Sequence, residues 1–336
     1  MSMRVAVIGA GSWGTTVAAI ASKNGPTTLW ARKQDVADEV NAQHTNESYL
    51  PEALLPPELR ATADLAEAVH DADVVVMAVP SHGFRDVLAD AVPHVRAWVP
   101  VVSLSKGLEQ GTSKRMTEVV NDLLPEHPAG VLTGPNLAKE IMGGQPAASV
   151  VAMADDRIAD GLQPVFAAPA FRVYTNLDIV GCEVAGALKN VMAIAAGMAF
   201  GMGFGDNTKA TLMTRGLAEL TRLGVAMGGD PLTFSGLAGM GDLVATCMSP
   251  QSRNHRVGLE LGKGRSVEEI VSEMNMVAEG VKTSRVVCDL ARQLGVEMPI
   301  AEQVDAVCHR GVSAQDALLS LMARPSRAEH HGLTRR

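Results

Sequence analysis

Val5-Ala6-Val7-Ile8-Gly9-Ala10-Gly11-Ser12-Trp13-Gly14 decides the fold. Four apolar residues run directly into three glycines spaced Gly-x-Gly-x-x-Gly, and a helical pattern over residues 12–24 follows, with Val17, Ile20 and Ala21 on one face. Each glycine has its own reason to be there. Gly9 permits a sharp turn, Gly11 lets the backbone come close to a pyrophosphate, and Gly14 lets the helix lie close on the sheet. The free N–H groups and the dipole of the helix start then favour an anion. A strand–turn–helix at this point predicts dinucleotide binding.

Working outward, Thr27–Trp30, Asp73–Val79, Pro100–Leu104, Gly130–Thr133 and Ala148–Met153 read as further strands. Helical patterns lie near 33–43, 82–92, 112–123 and 155–168. Strands alternating with helices of this length predict a doubly wound parallel sheet with right-handed crossovers. After residue 177 the strand-like runs stop and helical periodicity takes over. Val184, Leu188, Val191, Ala195 and Met198 share one arc of a long helix, and further helices suit 208–227, 233–248, 254–262, 266–274, 280–295, 299–309 and 313–323. The expected organisation is an α/β dinucleotide-binding domain over 1–177, an all-α substrate domain over 178–323, and a loose basic tail over 324–336.

The 336 residues carry 37 acidic and 29 basic side chains, a formal charge of −8, with 47% hydrophobic and 3% aromatic residues. That composition excludes bulk disorder, and it offers neither a basic groove nor a stacking platform for nucleic acid. An anionic ligand must be held by a local basic site, because the global field opposes it. The four cysteines, at 182, 247, 288 and 308, form no Cys-x-x-Cys pair, so neither a zinc site nor a disulfide framework is expected. The uncharged apolar stretch 190–205 is shorter than the ~20 residues of a membrane helix. The opening residues do not read as a signal peptide. The expectation is a cytoplasmic protein without a membrane span.

Several polar residues stand where chemistry could use them. The second strand ends in Ala31-Arg32-Lys33 rather than in the acid that holds a ribose 2′-OH. Two cations there would attract a 2′-phosphate, which predicts NADP(H) over NAD(H). Lys106 falls in a loop at the carboxyl end of a strand, where ligands of open α/β sheets bind. Lys189 lies opposite the apolar arc of its helix, among Cys182, Ala185, Ala193 and Ala196, whose small side chains leave room for a ligand. A lysine in such a setting suits general acid–base work. Asp242 and Thr246 stand at i and i+4 on one helix face. Ser252-Arg253-Asn254 combines turn chemistry, a helix start and a guanidinium, which together would hold a phosphate.

Seven motifs in order carry a family resemblance. They are Gly9-Ala-Gly-Ser-Trp-Gly14, Ser105-Lys106-Gly107-Leu-Glu, Thr133-Gly134-Pro135-Asn136-Leu-Ala138-Lys-Glu, Leu188-Lys189-Asn190-Val, Gly239-Met-Gly-Asp242-Leu, Gln251-Ser-Arg-Asn254 and Val277-Ala-Glu279-Gly280. Over nearly its whole length the chain resembles the bacterial NAD(P)-dependent sn-glycerol-3-phosphate dehydrogenases. The resemblance implies a Rossmann domain followed by a helical one. It also implies reversible hydride transfer between NAD(P)H and dihydroxyacetone phosphate, which would supply a glycerophospholipid precursor.

By the same resemblance Lys189 is the proton donor or acceptor, with Lys106 and Asp242 completing the catalytic set. Lys106, Gly134, Asn136, Asn190, Thr246, Ser252, Arg253 and Asn254 hold substrate. Gly9, Gly11, Ser12, Trp13, Gly14, Arg32, Lys33, Lys106, Ala138, Arg253, Val277 and Glu279 hold cofactor. Trp13 stands where tyrosine or phenylalanine is more usual, and Asn136 replaces a hydroxyl residue. No metal is called for, since the lysines act as electrophiles. The long apolar faces and 17 methionines are compatible with a homodimer. A 3-hydroxy-acid or 6-phosphogluconate dehydrogenase, a UDP-sugar dehydrogenase using Cys247, and a nicotinamide-sensing module without chemistry are the competing readings.

Overall fold

A computed structural model describes residues 2–273, 278–329, 331 and 332. Two compact units divide the chain, Met1–Ile179 and Val180–Arg336.

The first unit holds eight strands: Val5–Ile8 (β1), Thr27–Trp30 (β2), Arg60–Thr62 (β3), Val74–Met77 (β4), Val101–Ser103 (β5), Ala129–Thr133 (β6), Ala147–Met153 (β7) and Phe171–Asn176 (β8). Its helices are Ser12–Ser22 (α1), Gln34–Gln43 (α2), Leu65–Val69 (α3), Phe84–Ala91 (α4), Met116–Leu123 (α5), Ala138–Met142 (α6) and Asp156–Phe166 (α7). The strands form one sheet in the order β3-β2-β1-β4-β5-β6-β7-β8. β1 and β4 are neighbours although two strands separate them in sequence, so the winding reverses between them. The crevice at their carboxyl ends is the place where such sheets bind ligands. Both are buried along their whole length, which is why they read as unbroken apolar runs.

One strand departs from the parallel expectation. β7 runs antiparallel to β6, and β8 is parallel to β7. Only residues 134–146 join β6 to β7, and they hold the single short helix α6. An antiparallel return needs no helix across the sheet face, whereas a parallel one does.

The described residues of the second unit are helical: Ile179–Gly201 (α8), Asp206–Ala226 (α9), Pro231–Ser235 (α10), Asp242–Met248 (α11), Arg253–Gly262 (α12), Val267–Glu273 (α13), Glu279–Gln293 (α14), Pro299–Arg310 (α15) and Ala314–Met322 (α16). The continuous helix expected over 233–248 is broken. A π-helical turn, Leu237–Gly241, separates α10 from α11. There Gly239 is held so tightly that a Cβ would meet the Phe234 carbonyl oxygen at 2.2 Å.

Among the described helices α8 alone is long and apolar enough to cross a membrane, but 89% of its most apolar window is buried within the protein. It is buried on every face from Gly181 to Ala199. It meets α12 through paired glycines. A Cβ on Gly197 would meet the His255 carbonyl oxygen at 2.2 Å, and one on Gly258 the Ile194 carbonyl oxygen at 2.1 Å. In the last stretch, the Arg324 and Arg327 guanidiniums pair with Glu297, and Arg215 donates to the Glu329 carbonyl.

Glu219 of α9 is nearly inaccessible, and its carboxyl accepts the backbone N–H groups of Ile300 (2.8 Å) and Ala301 (3.3 Å). It thereby caps α15, whose own N-cap residue, Met298, supplies no side-chain bond. Burial pushes the carboxyl up to about 7, against the two N–H bonds and Arg222, which favour the charge. The folded chain therefore holds this proton where the unfolded chain releases it. Stability falls as pH rises from the ordinary carboxyl range towards 7 and then levels off. Glu219→Gln should flatten that decline, so thermal midpoints at pH 5 and pH 8 should lie closer together than in the wild type.

Candidate active site

The glycine turn at the end of β1 is built as tightly as its spacing suggests. Gly9 has φ +118°, and a Cβ there would sit 2.7 Å from the Ala78 carbonyl oxygen beyond β4. A Cβ on Gly14 would meet the Gly9 oxygen at 2.1 Å. Gly11 is the opposite case, with nothing within 4 Å of its would-be Cβ. It is also the N-cap of α1 and provides no side-chain bond to the first turn. An open space faced by backbone N–H groups at a helix start fits the pyrophosphate of a dinucleotide.

Ser12 Oγ donates to the Tyr49 carbonyl at 2.6 Å. Trp13 packs edge-on to Phe171 and leaves its indole N–H buried without a partner. Arg32 and Lys33 are exposed just past β2.

Lys106, after β5, donates from Nζ to the Gly134 carbonyl at 2.8 Å, so two of the motifs meet within this unit. Gly134 has φ +142°, which favours glycine, and its would-be Cβ lies 3.1 Å from Ser149 Cα. Asn136 donates from Nδ2 to Ser149 Oγ (3.1 Å), and that hydroxyl donates to the Thr133 carbonyl (2.7 Å). Asn136 Oδ1 and Thr133 Oγ1 are buried and unpartnered, two acceptors beside the Lys106 contact. Ala138 opens α6.

In the second unit the helices converge on one ammonium. Lys189 Nζ lies 3.0 Å from Asp242 Oδ1 and donates to Thr246 Oγ1 at 2.6 Å. The two charged side chains are 7% and 2% exposed, so this lysine does not reach out to water. Thr246 Oγ1 in turn donates to the Asp242 carbonyl at 2.6 Å. The π-helical turn stands directly before Asp242, a feature common at functional sites. Next to them, burial pushes the Cys247 thiol up to about 12, which disfavours the thiolate that a nucleophile needs.

Ser252 caps α12, its Oγ accepting the His255 N–H at 3.2 Å. Arg253 is exposed. Asn254 Oδ1 accepts the Gly280 N–H at 2.9 Å, and a Cβ on Gly280 would meet the Asn190 carbonyl oxygen at 2.6 Å. Asn190, Asn254 and the Glu279–Gly280 start of α14 are thus gathered at one point by packing. Val277 lies outside the described residues. Two buried residues escaped the sequence reading. His255 sits edge-on to Phe200, and Asn46 lies beneath the glycine turn. Neither falls in a pattern that marks it in sequence. Among the described residues no group of His, Cys, Asp and Glu could hold a metal ion.

Family models match both halves of the chain: the N-terminus of NAD-dependent glycerol-3-phosphate dehydrogenase over residues 4–159, and its C-terminus over 178–319. A glycerol-3-phosphate dehydrogenase (NAD(P)+) of Sphingopyxis alaskensis is 58% identical over 331 residues, covering 98% of this chain and 99% of its own. One from Mycobacterium avium is 52% identical over 330 residues, covering 98% and 97%. The crystal structure of a glycerol-3-phosphate dehydrogenase from Coxiella burnetii superposes with a TM-score of 0.91 at 36% identity, over 96% of this chain and 99% of that one.

Proposed function

The chain belongs to the NAD-dependent glycerol-3-phosphate dehydrogenase family, and from that premise we propose how its own residues divide the work. It is an NAD(P)-dependent oxidoreductase that reduces dihydroxyacetone phosphate to sn-glycerol 3-phosphate. The observation that carries the assignment of roles is the ammonium of Lys189 held between Asp242 and Thr246 in a nearly dry setting.

Bound NAD(P)H supplies the hydride. We assign its pyrophosphate to Gly9, Gly11, Ser12, Trp13 and Gly14, with Arg32, Lys33, Lys106, Ala138, Arg253, Val277 and Glu279 as further cofactor residues. As hydride reaches C2, the carbonyl oxygen gains negative charge and needs a proton. An ammonium has three N–H bonds. Thr246 and Asp242 take two of those on Lys189, and the third is the one assigned to the substrate oxygen. The same group both stabilises the alkoxide and protonates it. In the reverse direction the neutral amine accepts the proton of the alcohol. Asp242 keeps the ammonium in place and balances its charge.

Arg253 presents a planar fork that matches a phosphate in a way lysine does not. We also assign Ser252 and Asn190 of the second unit, and Gly134 and Asn136 of the first, to substrate binding. Asn254 accepts the Gly280 N–H at Oδ1, and its own N–H groups are assigned to the substrate. Lys106 donates one N–H to the Gly134 carbonyl, and its charge is assigned to both substrate and cofactor. Anchoring the phosphate turns remote binding into orientation of C2.

The proposal extends to three finer points. The exposed pair Arg32 and Lys33 favours NADP(H) over NAD(H). The chain works in the cytoplasm, feeding glycerophospholipid synthesis. It pairs as a homodimer, as the exposed Leu232, Met240, Val244 and Met248 support, giving a solution mass about twice 35.2 kDa.

Oxidation of NADPH and of NADH on adding dihydroxyacetone phosphate tests the cofactor reading. KM for NADPH should be the lower, and Arg32→Ala should raise it about tenfold, about 1.4 kcal/mol, with KM for NADH little changed. A clear preference for NADH that Arg32→Ala leaves unaltered would contradict the 2′-phosphate assignment.

A further inference from the structure

Beneath the glycine turn lies a side chain that none of the motifs contains. Asn46 is fully buried, at 0% exposure, and its Nδ2 donates to the Ala10 carbonyl (2.9 Å) and to Thr15 Oγ1 (2.9 Å). Three residues on, the Tyr49 carbonyl accepts the Ser12 hydroxyl. Residues 46–49 thus hold the turn on both sides of Gly11. The Ala10 carbonyl can only accept, so it dictates which way the Asn46 amide faces. That orientation leaves Asn46 Oδ1 buried and without a partner. Buried acceptors are ordinarily satisfied, and one left open asks for a reason beyond packing.

The reason lies in the peptide that Asn46 grips. In a trans peptide the carbonyl and the following N–H point in opposite directions. With the Ala10 oxygen drawn inward to Asn46, the Gly11 N–H points outward, where nothing stands within 4 Å of the would-be Gly11 Cβ. Gly11 follows this peptide, and with no Cβ on its far side little steric resistance opposes the change in the Gly11 φ that a rotation requires. A rotated peptide would turn an oxygen, the negative end of its dipole, towards a bound pyrophosphate. We propose that Asn46 is the positioning residue of the cofactor turn, holding the Ala10–Gly11 peptide in the one orientation that presents an N–H to the anion. This rests on the assignment of the glycine turn to the pyrophosphate, which binding of ADP-ribose by the wild type checks on its own.

The test compares Asn46→Asp and Asn46→Ala, which lose the amide donor, with Thr15→Val, which loses the other acceptor but leaves the Ala10 bond. Fluorescence titration should show NADPH and ADP-ribose bound at least tenfold more weakly by both Asn46 variants. Their kcat at saturating NADPH should stay within twofold of wild type, and Thr15→Val should bind both ligands as the wild type does. In wild-type protein labelled with 15N-glycine, the Gly11 amide resonance should shift on saturation with ADP-ribose, a measurement that needs no variant to fold. Wild-type affinity in the Asn46 variants, an equal loss in Thr15→Val, or an unmoved Gly11 resonance would each overturn the proposal. A wild type unable to bind ADP-ribose would instead remove the pyrophosphate assignment beneath it.

Discussion

Lys189→Ala should lower kcat for dihydroxyacetone phosphate by about 10²–10⁴-fold, the usual worth of a positioned general acid. Its affinity for NADPH, measured by titration, should hardly change. The loss belongs to the transition state, because the alkoxide exists only as hydride arrives, so kcat rather than KM carries the effect. Two controls separate proton delivery from mere charge. Lys189→Arg keeps a cation beside Asp242 but cannot surrender a proton, and it should be nearly as inactive as the alanine variant. Methylammonium added to Lys189→Ala should restore part of the rate, since a small amine can enter the space left by the side chain. An alanine variant within tenfold of wild-type kcat would end the assignment of Lys189 as proton donor.

The first half of this site was open to sequence reading because its strands are buried on both faces. Val5–Ile8 and Val74–Met77 show no polar alternation to confuse with a helix, and the glycines mark where the chain turns. β3 and β8 lacked that signal. Arg60–Thr62 is three residues long at the sheet's edge, and Phe171–Asn176 alternates buried with exposed residues at the other edge. The antiparallel return to β7 follows from a short connection, which periodicity does not report.

In the helical half, the apolar arc on α8 suggested one buried face, whereas the helix is buried all round. The position of Lys189 opposite the apolar arc therefore does not put it on an exposed side, and its burial comes from packing that periodicity does not report. The π-helical turn that precedes Asp242 has no periodic signature at all, since it interrupts a pattern that a continuous helix explains equally well. Asn46 was invisible for a different reason. Its importance comes from a carbonyl 36 positions earlier, and only the folded chain brings them together.

Asp242→Ala should be the most destabilising single change in this site, by about 3–5 kcal/mol, because it strands an ammonium in a buried setting. The Lys189 and Asp242 side chains are 7% and 2% exposed at a separation of 3.0 Å, so water cannot replace the lost partner without opening the fold. The cost comes from the stranded charge and not from the pair's own attraction, and a second substitution distinguishes them. Lys189→Met in the Asp242→Ala background removes the unpaired charge while keeping much of the volume. The double variant should be clearly more stable than Asp242→Ala alone, by urea denaturation at pH 7, although it has lost one more native side chain. That non-additivity is the coupling between neighbouring groups. Asp242→Asn offers a milder version, nearly isosteric and able to accept from Thr246 and Lys189, so it should fold well yet turn over more slowly. If Asp242→Ala and the double variant unfold at the same urea concentration, the two side chains are not electrostatically dependent, and the role given to Asp242 as the support of the catalytic ammonium falls.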